Sequence, residues 1–207
     1  MEVLKKVSSI GIVGILMSQV VFASLPEGIM GAFEKSYSLE YAGLLNKAVE
    51  AVKPYADKSY EANIRLAYLA KISGQVPEAI ASYEKAISLQ KNSLEARLLL
   101  VDAQASLGNW DKVASAYLDI LKIEPDNAVV NYRLGLLYYN REDYKNAVKV
   151  LEKAYSLYPM DLETLSLYGW TQLKLGKTAE AKDLFNTLLM LSPKNVSALE
   201  GLRQSSN

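Results

Sequence analysis

Of the side chains that transfer protons, attack as nucleophiles or hold metals, this chain of 207 residues has a reduced set, because His and Cys are both absent. Their absence removes the usual base near neutral pH, thiolate nucleophiles, disulfides and most zinc and haem sites. Carboxylates, Lys, Ser and Tyr remain. The acidic pairs Glu142-Asp143 and Asp161/Glu163 stand at expected turns and helix starts. There, acids satisfy free amides and oppose the helix dipole. Gly11 and Gly14 fall in an apolar N-terminal run, no Gly-rich phosphate loop follows, and aspartates at alternate places, as in a calcium loop, are missing. These residues point away from an enzyme, a metal site or a cofactor. The chemistry the chain does carry is that of recognition. It has 14 Tyr and 2 Trp, and such rings, with Arg, anchor interfaces because they bury much area with few rotors and keep a polar tip.

The elements that must position these rings follow from a period. Pro125, Pro159 and Pro193 are each 34 residues apart, and Gly74, Gly108 and Gly176 fall on the same lattice with Glu142 at the missing step. Two breaker types that share one period mark an internal repeat. Frames beginning at 60, 94, 128 and 162 each read as an apolar helix, a turn, a second helix and a stop. In the first helix the packing stripe is Leu66, Ala67 and Ala70; Leu100 and Val101; Leu134, Gly135 and Tyr138; Leu165, Tyr168 and Gly169. Small residues there admit close helix approach. In the second helix the knobs are Ala79, Tyr83 and Ala86; Val113, Tyr117 and Ile120; Ala147, Leu151 and Ala154; Ala181, Phe185 and Leu188.

This lattice resembles the tetratricopeptide repeat, and the frame with Leu134, Gly135, Tyr138, Tyr144, Ala147, Ala154 and Pro159 matches best. The resemblance implies an all-α fold, a right-handed α-solenoid of antiparallel helix pairs. The expected organisation is a signal peptide over 1–23, a degenerate N-terminal repeat or helical cap over 24–59, and four repeats at 60–93, 94–127, 128–161 and 162–195. A short capping helix and tail occupy 196–207. In the N-terminal unit, Ala42 and Pro54 keep the Ala-to-Pro spacing of the later repeats, with Leu45, Ala48, Val49 and Val52 on one face. The short C-terminal cap is expected to leave Phe185, Leu188 and Leu189 partly uncovered.

Stacked helix pairs curve, and the first helices then line a concave face. About 100 degrees per residue places Arg65, Tyr68, Lys71, Asp102, Tyr132, Arg133, Tyr139, Asn140, Trp170 and Lys174 on or beside that face. The resemblance implies that the face holds a partner protein or peptide. The first repeat lacks the Lys and Asn with which some relatives clamp a chaperone tail carboxylate, since Ile64 and Tyr68 stand there. A partly apolar segment is the expected guest. If Tyr68, Tyr132, Tyr139 and Trp170 line a groove, their truncation should cost little stability.

Lys plus Arg and Asp plus Glu both number 23, which argues against nucleic acid or an anionic membrane surface as partner. Met1 to Lys6 carries two lysines, an apolar run follows, and Val21-Phe22-Ala23 reads as a cleavage site. The expectation is an exported protein of the bacterial periplasm, with no stable membrane insertion after cleavage. The alternative is retention at the inner membrane by an uncleaved anchor. Three functions stay open: a non-enzymatic scaffold in a cell-envelope assembly, a structural protein that self-assembles through its C-terminal end, or a carbohydrate-binding accessory module.

Overall fold

The computed structural model describes residues 28–206. The signal-peptide reading falls on residues outside that range. Eleven helices run in order among the described residues, and no strand accompanies them: α1 (Ile29–Tyr41), α2 (Leu45–Val52), α3 (Tyr60–Ile72), α4 (Val76–Leu89), α5 (Leu94–Ser106), α6 (Trp110–Ile123), α7 (Ala128–Asn140), α8 (Tyr144–Leu157), α9 (Leu162–Lys174), α10 (Thr178–Leu191) and α11 (Val196–Gln204). A short 3-10 turn, Lys53–Tyr55, follows α2. Each helix packs on its chain neighbours, and the antiparallel pairs stack as a right-handed solenoid.

The period of 34 reaches down to single hydrogen bonds. Ser59, Ser93, Asn127, Asp161 and Asn195 each precede a first helix, and each side chain accepts a bond from the amide three residues on, at 3.0, 3.1, 3.0, 2.8 and 3.0 Å. An N-cap of this kind contributes about 1 kcal/mol. The turn between the helices of each pair needs one left-handed residue, and Gly43, Gly74, Gly108 and Gly176 provide it with φ between 69 and 75°. Glu142 holds the same conformation at φ 59° without glycine's freedom.

All twelve knobs of α4, α6, α8 and α10 are buried. Where the knob is large, the facing helix makes room. A Cβ on Gly135 would stand 2.5 Å from Leu151, and one on Gly169 would stand 2.7 Å from Phe185. The core is segmented: one cluster gathers around Tyr83, a second around Tyr117, Ile120 and Leu134, and a third around Leu151, Leu165 and Phe185.

Two expectations about the ends are corrected. Ala42 does not open the second helix of the first unit but lies exposed in the turn. Ala48, five residues past Gly43, takes the place of Ala79, and the second helix is shorter than its later copies. At the other end, α11 covers Phe185 and Leu188, whereas Leu189 stays partly uncovered as expected. Phe185 and Leu188 are fully buried, and Ala198 and Gly201 of α11 pack into the third cluster and against the Phe185 ring. Small side chains let a nine-residue helix seat closely enough to seal that cluster.

Candidate functional site

The first helices of the pairs are α3, α5, α7 and α9, with α11 after them, and side-chain bonds join α3 to α5 and α9 to α11 on their outward faces. From Tyr60 the hydroxyl donates to Glu95 Oε2 at 3.0 Å. Lys71 pairs with Asp102. Trp170 Nε1 donates to Ser197 Oγ at 2.7 Å, and Ser166 and Ser197 share a hydrogen bond of 2.7 Å.

The ten residues expected on this face fall into three groups. Tyr132, Tyr139 and Trp170 come together, with Leu162, Glu163, Ser166, Leu167 and Asn195, around a pocket of about 430 Å³. Burial raises the Tyr132 phenol above its ordinary value, with a further push from the Glu163 carboxylate. Burial likewise raises Tyr139. Its ring meets Tyr144 edge-on at 5.4 Å, and Trp170 meets Phe185 in the same way at 5.4 Å. The rings are thus rooted in the core while one side of each faces the pocket, so the expectation that all four aromatic truncations spare stability is corrected for these three.

The second group is exposed but stands apart from the pocket. Tyr68 is 44% exposed, and its hydroxyl donates to Glu40 Oε1 at 3.0 Å; that bond raises its phenol. Lys71 and Asp102 are committed to each other, and the Asp102 partner holds the Lys71 ammonium protonated to higher pH. Asn140 and Lys174 lie exposed at the C-terminal ends of α7 and α9. Arg133 lines a larger cleft on the edge of the same face.

Arg65 forms the third group. It is 4% exposed; Nη1 lies 2.6 Å from Glu40 Oε2, Nε donates to Ser36 Oγ at 3.1 Å, and the guanidinium stacks 3.9 Å above the Tyr37 ring. Arg65 therefore joins α3 to α1 from inside and is not a surface anchor. α1 replaces most of the water of this buried Arg with a carboxylate, a hydroxyl and an aromatic face, while Nη2 is left without a hydrogen-bond partner among the described residues. By sequence Glu163 reads as a dipole acid only. Its place two residues into the helix, on the outward side of the period, was the signal that it also lines the pocket.

The molecule is thus an α-solenoid that exposes an aromatic-lined pocket among its first helices. A family model described as tetratricopeptide repeat matches residues 70–132 and 138–205, and the chain belongs to that family. Among known proteins, TPR repeat-containing protein MJ1428 of Methanocaldococcus jannaschii is 30% identical over 157 residues, covering 75% of this chain and 27% of that protein. The chain spans less than a third of the length of the curated relatives it matches. Among solved structures it resembles MamA, with a TM-score of 0.63 at 21% identity over 80% of this chain and 92% of that one. It also resembles YrrB, described as a TPR protein with an unusual peptide-binding site, with a TM-score of 0.63 at 12% identity over 85% and 92%. At these identities the likeness is one of fold. No helix of the described residues is long and apolar enough to cross a membrane.

Proposed function

We propose that the chain is a non-enzymatic, exported scaffold that holds a segment of a partner protein on the face of its first helices, in a bacterial cell-envelope assembly. The fold and family support protein–protein interaction as the general role. The observation that carries the finer reading is the pocket of Tyr132, Tyr139 and Trp170, in which Tyr144 holds the Tyr139 ring and Phe185 and Ser197 hold Trp170 from behind, with Tyr132 packed on the same core cluster and one side left open. Rings already held in place lose little entropy when a guest packs on them. The export reading and the periplasm rest on the lysines, apolar run and Val21-Phe22-Ala23 of the N-terminus. Affinity capture with the full chain and with Trp170→Phe and Tyr139→Leu tests the reading. The same partner should be recovered by the unaltered chain and lost by variants whose helix content is unchanged. Equal recovery by all three would sink it.

A second reading is self-assembly through the C-terminal end, favoured by the exposure of Val196 at 78% and Leu199 at 51% on the side of α11 where a further helix would dock. Removing 196–207 cannot test it, because α11 seals Phe185. Val196→Lys with Leu199→Lys leaves the seal in place, and an unchanged mass by light scattering would exclude this end as an interface.

A further inference from the structure

Tyr132 and Glu163 are shared between the aromatic pocket and a cleft of about 930 Å³ on the edge of the same face. The two form one path. The cleft lies between the α6–α7 and α8–α9 loops. Ala154 and Leu157 line it, and Val129, Tyr158 and Met160 on its rim are 59, 63 and 68% exposed. Its charge is one-sided: Glu124, Asp126, Asp161 and Glu163 face a single guanidinium, that of Arg133. Asp126 is 2.6 Å from Lys153, and Asp161 caps the Thr164 amide at 2.8 Å. Glu124 and Glu163 are exposed and enter no ion pair among the described residues.

Glu124 Oε2 accepts a hydrogen bond from Asn127 Nδ2 at 2.6 Å within the α6–α7 turn, but the helix dipole does not call for an acid there. Glu124 closes the C-terminus of α6, where the dipole disfavours an acid. The residues at the same step of the other repeats, Gln90, Tyr158 and Ser192, carry no charge. The repeat therefore does not impose it, and its carboxylate adds to the potential of this one cleft.

We propose that the guest is basic as well as apolar: an extended segment of a partner protein whose Lys or Arg lies in the cleft against Glu124 and Glu163. An aromatic or aliphatic side chain of that segment enters the Tyr132–Tyr139–Trp170 pocket. The apolar stem of Lys or Arg suits the Val129 and Met160 rim while its charge meets the carboxylates. An acidic segment would set like charges together in the same space. This inference rests on the groove reading above and adds the sign of the partner's charge.

The test uses the immobilised full chain and three sets of N-acetylated, C-amidated decapeptides. Each set has Trp fixed at one position and Lys, Glu or Ser fixed at varied spacing from it. At low salt the Lys set should be retained about tenfold over the Glu set, and the preference should shrink near 0.5 M salt, where screening is short-ranged. Exposed charge pairs contribute up to about fivefold each, so Glu124→Gln with Glu163→Gln should remove most of the preference for the Lys set over the Glu set at unchanged helix content. Retention without charge preference, better retention of the Glu set, or an unchanged preference in the double variant would overturn the cationic assignment alone. If no set were retained, the groove reading would fall with it. A dimer by light scattering that the double variant dissolves would assign the face to a second copy and overturn the proposal.

Discussion

Adding one methyl group at Gly201 should unseat the end of the array. Phe185 is fully buried with glycines on two sides. A Cβ on Gly169 would meet its Cε1 at 2.7 Å, and a Cβ on Gly201 would meet Cδ2, Cε2 and Cζ together. The ring has no free direction in which to retreat, since Trp170 also abuts it at 5.4 Å. Two effects then compete in Gly201→Ala. Alanine is favoured over glycine in a helix interior by about 1 kcal/mol, whereas forcing extra carbon into a packed core costs about 1–3 kcal/mol. The steric effect should win by about 1 kcal/mol, lowering the melting temperature by about 2–4 °C for a chain of this size. Thermal melts followed by circular dichroism read this directly. In a Phe185→Leu background the conflict is relieved, so the same alanine should raise the melting temperature relative to Phe185→Leu alone. A higher melting temperature for Gly201→Ala in the otherwise unaltered chain would refute the argument that α11 is seated by close approach.

The strained turn gives a prediction of opposite sign: Glu142→Gly should stabilise by about 0.5–1 kcal/mol, because the left-handed cost falls on every residue but glycine while glycine's larger unfolded entropy offsets part of the gain. Urea titrations of both variants check this, and Gly108→Ala, at the corresponding turn, should lose stability in them. Tyr117, 7% exposed at the centre of its cluster, should cost about 3 kcal/mol or more on replacement by Ala. Tyr68→Ala, by contrast, should stay within about 1 kcal/mol at its surface-like site. Burial raises the phenols of Tyr83, Tyr132, Tyr139 and Tyr168 above the ordinary 10.0. Their contribution is fully present below the unfolded value and is lost as pH rises through the folded ones. Melts taken at rising pH should therefore hold level below about pH 10 and decline above it, and a decline that began near neutral pH would contradict this origin.

The knobs and turns were legible because burial and backbone geometry act on single residue types: proline cannot continue a helix, and a left-handed turn selects glycine. The caps were equally periodic, at Ser59, Ser93, Asn127, Asp161 and Asn195, but three residue types share the role, so no single letter repeats. Matching Pro54 to the later prolines puts the first unit out of register, because Gly43 marks the turn and α2 is shorter than its later copies. Arg65 was misplaced for a different reason. Helical period gives the direction of a side chain but not what stands opposite, and α1 there presents Glu40, Ser36 and Tyr37. Trp170 was found on the right face, yet its second role, against Phe185 and Ser197, depends on a cap that lies 27 residues further along the chain.

Because each boundary carries its own capping side chain and each pair its own turn, a gene duplication of any 34 successive codons within 60–195 would yield another complete module, whatever the phase of the cut. Such a copy inserts without new termini to satisfy. The span of the recognition face can therefore change in whole modules, independently of the side chains that give it chemical preference, and the two properties can diverge at different rates.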